Sequence, residues 1–255
     1  MEGRELKNIV AHKESKPEVE GKYLLFREQV NSFIQKIKAD EVKEGSEKFS
    51  EYTVTQRWIS GGENDGVRLR MKEGRDGSKK LFITKKNGET SPNGRRFTAE
   101  KEEEVKKENQ ELTNFFWENW ETAKNTEIVK TRYIFDYNFR DDLRTVELDI
   151  FQDTDLTVAE VEFSGNTVDE AIISRDEFKS RKFFASLGLD SVKIFPDDKR
   201  FKNKVMARDR GFLESLYKET DYYSRLLRRV AGTEKKNQKK EEKEKRREAK
   251  RKLKA

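Results

Sequence analysis

Acidic and basic residues in this chain are sorted into separate sets spaced two apart. Glu18 with Glu20, Glu147 with Asp149 and Glu160 with Glu162 form acidic pairs, while Arg68, Arg70 and Lys72, and Lys130 with Arg132, form basic sets. In an extended strand such residues share a face, so each strand would present one sign of charge. A surface that needs only to be solvated has no use for this sorting. Paired carboxylates without His or Cys suit hard cations such as Mg2+ or Mn2+, and rows of Arg and Lys suit phosphate oxygens. If the faces meet around a cavity, the charges cannot stay buried and unpaired, because that is expensive. A polyphosphate with its metal complements both walls.

Composition narrows the other chemistries. There is no cysteine, which removes disulfides, thiolate metal sites and cysteine nucleophiles. His12 is the single histidine and lies in a polar N-terminal stretch. Acid–base work therefore falls to carboxylates, lysines and tyrosines. Charged residues make up 42% and hydrophobic ones 33%, yet 17 Phe, 7 Tyr and 3 Trp supply material for a packed core. The net charge of +6 is uneven: residues 233–255 hold twelve Lys/Arg against five Asp/Glu, a net of +7, leaving residues 1–232 at −1. No apolar run approaches the ~18 residues of a membrane span, and residues 1–17 lack the apolar centre of a signal peptide. A cytoplasmic protein with no membrane contact is expected.

The elements that must position these residues follow from periodicity. Strands are predicted over 17–25, 51–60, 67–72, 79–86, 95–102, 127–137, 144–151 and 156–163, with a hairpin turn at 74–77. Helical spacing marks 26–39, about 102–124, 167–173, 176–186 and about 203–230, with an apolar run at 192–195 and a turn at 196–198. The intervening helices can cover the apolar strand faces and leave the charged faces to meet one another. The predicted fold is α+β: an eight-stranded antiparallel β-barrel, or tunnel, with flanking helices and a basic C-terminal tail. Eight strands enclose a cavity of small-ligand size. The expected divisions are a flexible arm over 1–16, the tunnel domain over 17–232 and the charged tail over 233–255.

The motifs resemble the CYTH domain, the triphosphate tunnel metalloenzyme family. Glu18-Val19-Glu20-Gly21-Lys22 is similar to its opening ExExK signature. Gln56-Arg57-Trp58-Ile59, Val67-Arg68-Leu69-Arg70, Phe82-Ile83-Thr84-Lys85-Lys86, Lys130-Thr131-Arg132-Tyr133, Glu147-Leu148-Asp149-Ile150-Phe151, Ala159-Glu160-Val161-Glu162-Phe163 and residues 198–203 follow in the family's order. The resemblance implies an eight-stranded antiparallel tunnel that hydrolyses or cyclises triphosphates with Mg2+ or Mn2+. It implies that Glu18, Glu20, Glu160 and Glu162 ligate metal, with Asp149 joining the acidic wall. It implies that Lys22, Arg68, Arg70, Lys86, Lys130 and Arg132 cradle phosphates, with Arg200 and Lys202 approaching from the C-terminal segment. Strand parity with Thr84 favours Lys86 over Lys85. Gly21 stands where an arginine is common, and Thr98 replaces the arginine of an RxExE-like strand ahead of Glu100 and Glu102.

The leading expectation is a metal-dependent triphosphatase acting on inorganic triphosphate, a nucleoside triphosphate or thiamine triphosphate, with Glu18, Glu20 and Lys22 at the reacting centre. Lys22 has the alternative role of a structural partner to the glutamates. Cyclisation of ATP by the same fold is a second expectation. A third is a non-enzymatic nucleotide- or polyphosphate-binding module whose tail makes a weak contact with RNA or another acidic partner. The sequence specifies no oligomeric state.

Overall fold

Apolar and charged side chains alternate through long segments, and those segments become strands with one greasy and one charged face. The computed structural model describes residues 16–44, 49–60, 66–91, 93, 96–140, 142–152, 154–195, 201 and 221–252. In chain order the elements are β1 (Lys16–Glu18), β2 (Glu20–Leu25), α1 (Arg27–Glu44), β3 (Ser50–Ser60), β4 (Gly66–Gly74), β5 (Lys79–Thr90) and β6 (Arg96–Glu104). There follow α2 (Gln110–Thr122), β7 (Ile128–Phe139), β8 (Asp142–Phe151), β9 (Thr157–Glu162), α3 (Val168–Glu177), α4 (Ser180–Ser186), β10 (Ser191–Ile194) and α5 (Asp221–Lys252). No described helix is long and apolar enough to cross a membrane.

The strands form one antiparallel sheet in the order β1-β6-β5-β4-β3-β7-β8-β9-β2-β10. Among the described residues this α+β architecture has ten strands where the sequence suggested eight. The predicted strand over 17–25 is interrupted at Val19: β1 pairs with β6 (Glu18 opposite Thr98), whereas β2 pairs with β9 (Glu20 opposite Glu162). The apolar run near 192–195 contributes a short strand, β10, on the free edge of β2, with Val192 opposite Leu24. The helix expected from about 102 begins later. Val105 N–H still donates to Leu81 C=O, prolonging the strand, and the Asn109 side chain caps the new helix by accepting from Leu112 N–H at 3.1 Å. The predicted turn at 196–198 and most of the helix at 203–230 fall outside the described residues. The portion from Asp221 runs without a break across 232–233 into the basic tail.

The apolar face is covered by helices. Val30 and Ile34 of α1, Ala171 and Ile172 of α3, and Phe183 and Phe184 of α4 pack on Tyr23, Leu25, Phe135, Leu148 and Val161. Leu112, Phe116 and Trp120 of α2 cover Leu69 and Ile83. Fully burying such a side chain is worth about 1.5–3 kcal/mol. A third cluster joins Leu24, Phe151 and Val158, at one end of the charged face, to Val192 of β10 and to Tyr222 and Leu226 of α5.

Candidate functional site

Register decides which residues meet, because partners in an antiparallel ladder lie on the same side of the sheet. From β1 onward the pairs run Glu18–Thr98, Lys86–Glu100, Thr84–Glu102, Thr84–Arg68, Arg70–Gln56, Val54–Lys130, Arg132–Asp149, Glu147–Glu160 and Lys22–Glu160. Apart from Glu18, whose side chain is not described, the strand-borne residues expected to face the ligand therefore share one face. The helices cover the opposite face. Arg68, Arg70, Lys130, Arg132, Asp149 and Glu160 are all buried, with Lys130 and Asp149 only 1% exposed.

Two networks occupy this face. In the first, the Arg132 guanidinium donates to both oxygens of Asp149 at 2.6 Å and to Glu160 at 3.1 Å, and it also pairs with Glu147. Lys130 donates to Asp149, and Lys22 pairs with Glu160 and, at 2.7 Å, with Glu20. In the second, Arg68 donates to Glu100 at 3.1 Å, Lys86 pairs with Glu100 at 2.6 Å, and Arg70 pairs with Glu102 at 3.3 Å. The Thr84 hydroxyl donates to Glu102 at 2.9 Å. Gln56, Thr84, Glu100, Glu102 and Glu147 are members that motif matching left out of the site. The signal that would have found them is strand parity alone. Arg200 and Lys202 lie outside the described residues, as does the Glu18 side chain.

Electrostatics separate the carboxylates. Burial works against the Glu160 anion, but Lys22, Arg132 and Lys130 together hold its carboxyl well below the usual range. Glu147 is pushed up, first by burial and then, against the pull of Arg132, by Glu160 and Asp149. Glu162 reaches solvent on one side, and its carboxyl is raised by partial desolvation and by the neighbouring Glu147 and Glu20. Burial opposes the charge on Lys22, yet Glu160 and Glu20 raise its pKa. Lys130 goes the other way: burial and the adjacent Arg132 lower it more than Asp149 and Glu160 restore.

The face also carries unpartnered donors. Among the described residues, Arg68 Nε, Arg70 Nε and Gln56 Nε2 are buried without a hydrogen-bond partner. These three donors sit on the adjacent strands β3 and β4, with Gln56 directly opposite Arg70. They suit an anion with several oxygens. The carboxylates offer only hard oxygen donors; burial first and then like-charge crowding raise Glu147 and Glu162, and a divalent cation would relieve the crowding. In donor chemistry the residues fit Mg2+ or Mn2+. Among the described residues, however, no three His, Cys, Asp or Glu side chains gather as a metal site would need. A separate groove of about 690 Å³, lined by Phe33, Ile37, Phe135 and Val230, lies on the helix-covered side and holds none of these residues.

No family model matches the chain, and no curated protein does. Among solved structures, it resembles the PH1819 protein of Pyrococcus horikoshii at 18% identity, with a TM-score of 0.47 over 80% of this chain and 99% of that one. The PH1012 protein of the same organism gives 17% and 0.42 over 69% and 94%. A conserved hypothetical protein of Pyrococcus furiosus gives 16% and 0.43 over 70% and 97%. At these scores the likenesses carry no argument, and function must be read from the chain's own charged face.

Proposed function

We propose that the chain is a divalent-metal-dependent triphosphatase whose sheet wraps into an eight-stranded antiparallel tunnel, as the resemblance to triphosphate tunnel metalloenzymes implies. The reading rests on one observation: opposite-signed side chains share a single buried face that also bears the unpartnered donors Arg68 Nε, Arg70 Nε and Gln56 Nε2. Wrapping is supported by the split first strand. Seven strands run from β6 round to β9, and β1 and β2, counted as one strand interrupted only at Val19, make the eighth by pairing with both; Phe163 N–H donating to Val19 C=O carries the ladder to the break.

In this reading Arg68, Arg70, Lys86, Lys130 and Arg132 bind the phosphates, with Lys22 between them and the glutamates. Arg200 and Lys202 would approach from the C-terminal segment. Glu18, Glu20, Glu160 and Glu162 would hold the metal. Asp149, whose oxygens accept three bonds from Lys130 and Arg132, fixes those cations in place. Bound Mg2+ or Mn2+ would neutralise phosphate charge and acidify a coordinated water. The chain itself supplies prepositioned cations where charge develops on the leaving phosphate, and a glutamate of the acidic wall would orient the attacking water.

The test is phosphate release from inorganic triphosphate, ATP and thiamine triphosphate with Mg2+ or Mn2+. The double variant Glu160→Gln/Glu162→Gln is expected to lose turnover by about 100-fold or more, the scale of a metal-site lesion. Undiminished turnover would overturn the assignment, and product analysis separates hydrolysis from cyclisation to cyclic AMP. A second reading, a polyphosphate-binding module without turnover, is favoured by the ion pairing that already engages Glu20, Glu147, Asp149 and Glu160. Binding without phosphate release would establish it.

A further inference from the structure

Helix α5 is held to the body as far as Thr233, whose hydroxyl donates to Asp190 at 3.1 Å, and from there continues exposed through Arg247. Its charges are segregated. With successive residues turned by about 100°, ten of the eleven Lys and Arg residues between Arg225 and Arg247 fall within an arc of roughly 140°. Lys245 alone lies opposite, in the sector that also holds Glu234, Glu241, Glu242 and Glu244. A helix that needed only solubility would do better with the signs mixed. Like charges three and four apart, such as Lys236, Lys239, Lys240 and Lys243, repel and weaken an isolated helix. The crowding extends onto the body: Arg229 is lowered, first by its burial and then by the neighbouring cations Arg181 and Arg225.

We propose that this stripe docks the phosphate backbone of a nucleic-acid duplex, without regard to base sequence or sugar. It spans about 33 Å at 1.5 Å per residue, close to one turn of a duplex at roughly 34–36 Å. The acidic side of the helix would meet phosphates if α5 were sunk into a groove, so the helix lies along the outside with its stripe inward. No aromatic residue occurs after Tyr223, so the stripe has no platform on which single-stranded bases could stack. Nor does it carry the apolar side chains with which an interfacial helix enters a membrane. A duplex, with about one charge per 1.7 Å of axis, offers the dense polyanion that such a row of cations requires.

The experiment is fluorescence anisotropy of the full chain with 20-base-pair DNA and RNA duplexes across a salt series. The expected result is equal affinity for the two duplexes, weaker affinity for the single strands, and log K falling linearly with log salt at about −0.9 per phosphate neutralised. Two variants make the same charge change two residues apart on opposite sides of the helix. Lys243→Glu should weaken binding by about tenfold and flatten the salt slope by about one to two, whereas Lys245→Glu should change affinity by less than about twofold. The neutral pair Lys243→Gln and Lys245→Gln repeats the comparison without adding a carboxylate to the helix, and circular dichroism checks that each remains helical. Equal losses from both positions, preference for single strands, or capture by phosphatidylserine vesicles or long-chain polyphosphate in place of a duplex would overturn the proposal. Triphosphate turnover should be unchanged in all four variants, which keeps this test separate from that of the catalytic reading.

Discussion

Glu160 and Glu162 stand two residues apart on β9 and face the same way, yet their surroundings pull their carboxyls in opposite directions. A folded-state pKa well below the ordinary glutamate value means that ionised Glu160 stabilises the fold. That contribution is present above the unfolded value of about 4.3 and is lost as pH falls through the lower folded value. Glu162 has the opposite sign. Its contribution is present below the unfolded value and is lost as pH rises through the raised folded value. Replacing Glu160 with Gln strips a buried partner from Lys22 and Arg132, at a cost of about 3–5 kcal/mol at pH 7 without metal. Replacing Glu162 relieves repulsion near solvent, where screening limits the gain to a few tenths of a kcal/mol. Urea unfolding of the two metal-free variants should therefore move in opposite directions. Adding Mg2+ should stabilise the parent, by about 2.7 kcal/mol at a hundred times its dissociation constant, and stabilise Glu162→Gln less. Two destabilised variants, or equal Mg2+ responses, would contradict this picture.

At the scale of elements, Gly21 shows how local packing selects a residue that motif comparison leaves odd. Its φ is unremarkable, but a Cβ there would lie 2.5 Å from the Tyr23 hydroxyl and 3.1 Å from Phe163 Cε2. The Tyr23 ring cannot easily retreat: it is fully buried, 6.0 Å from Phe178 and 5.1 Å from Phe184 between ring centroids. Gly21→Ala is expected to cost about 1–3 kcal/mol, the scale of an overpacked core. Thermal unfolding would measure it, and an unchanged midpoint would show that Tyr23 moves freely. This part of the chain also marks where the sequence was legible. Strand parity is readable because the period of two is strict, so the sequence alone puts Lys22, Arg68, Arg70, Lys86, Lys130, Arg132, Asp149, Glu160 and Glu162 on the charged faces of their strands. The break at Val19, the extra strand Ser191–Ile194 and the late start of α2 were not readable, since each depends on a partner distant in sequence or on one capping side chain. The division at 232–233 followed a change in composition that the backbone ignores. Gly232 costs a helix about 1 kcal/mol, and the Lys/Glu/Arg run that follows is helix-forming.

For the whole molecule, the question is whether the two charged networks serve one ligand. From β4, which carries Arg70, to β2, which carries Lys22, the sheet order passes β3, β7, β8 and β9. Five steps of about 4.8 Å would set the two residues roughly 24 Å apart on a flat sheet, too far for one triphosphate to touch both. Wrapped into a tunnel, both walls reach the same phosphates. A double-mutant cycle distinguishes these geometries. Arg70→Ala, Lys22→Met and their combination would be titrated calorimetrically with inorganic triphosphate in EDTA, so that no turnover intervenes. Each single variant should weaken binding, because each removes a cation from a buried face that already holds carboxylates. Sites more than about 7–10 Å apart with no shared partner add to within about 0.5 kcal/mol, whereas residues that share a ligand couple by about 0.5–3 kcal/mol. The tunnel reading therefore expects a coupling of about 1 kcal/mol or more between Arg70 and Lys22. Strict additivity would leave an open sheet with two independent charged patches, and the triphosphatase reading would lose the enclosed cavity on which it depends.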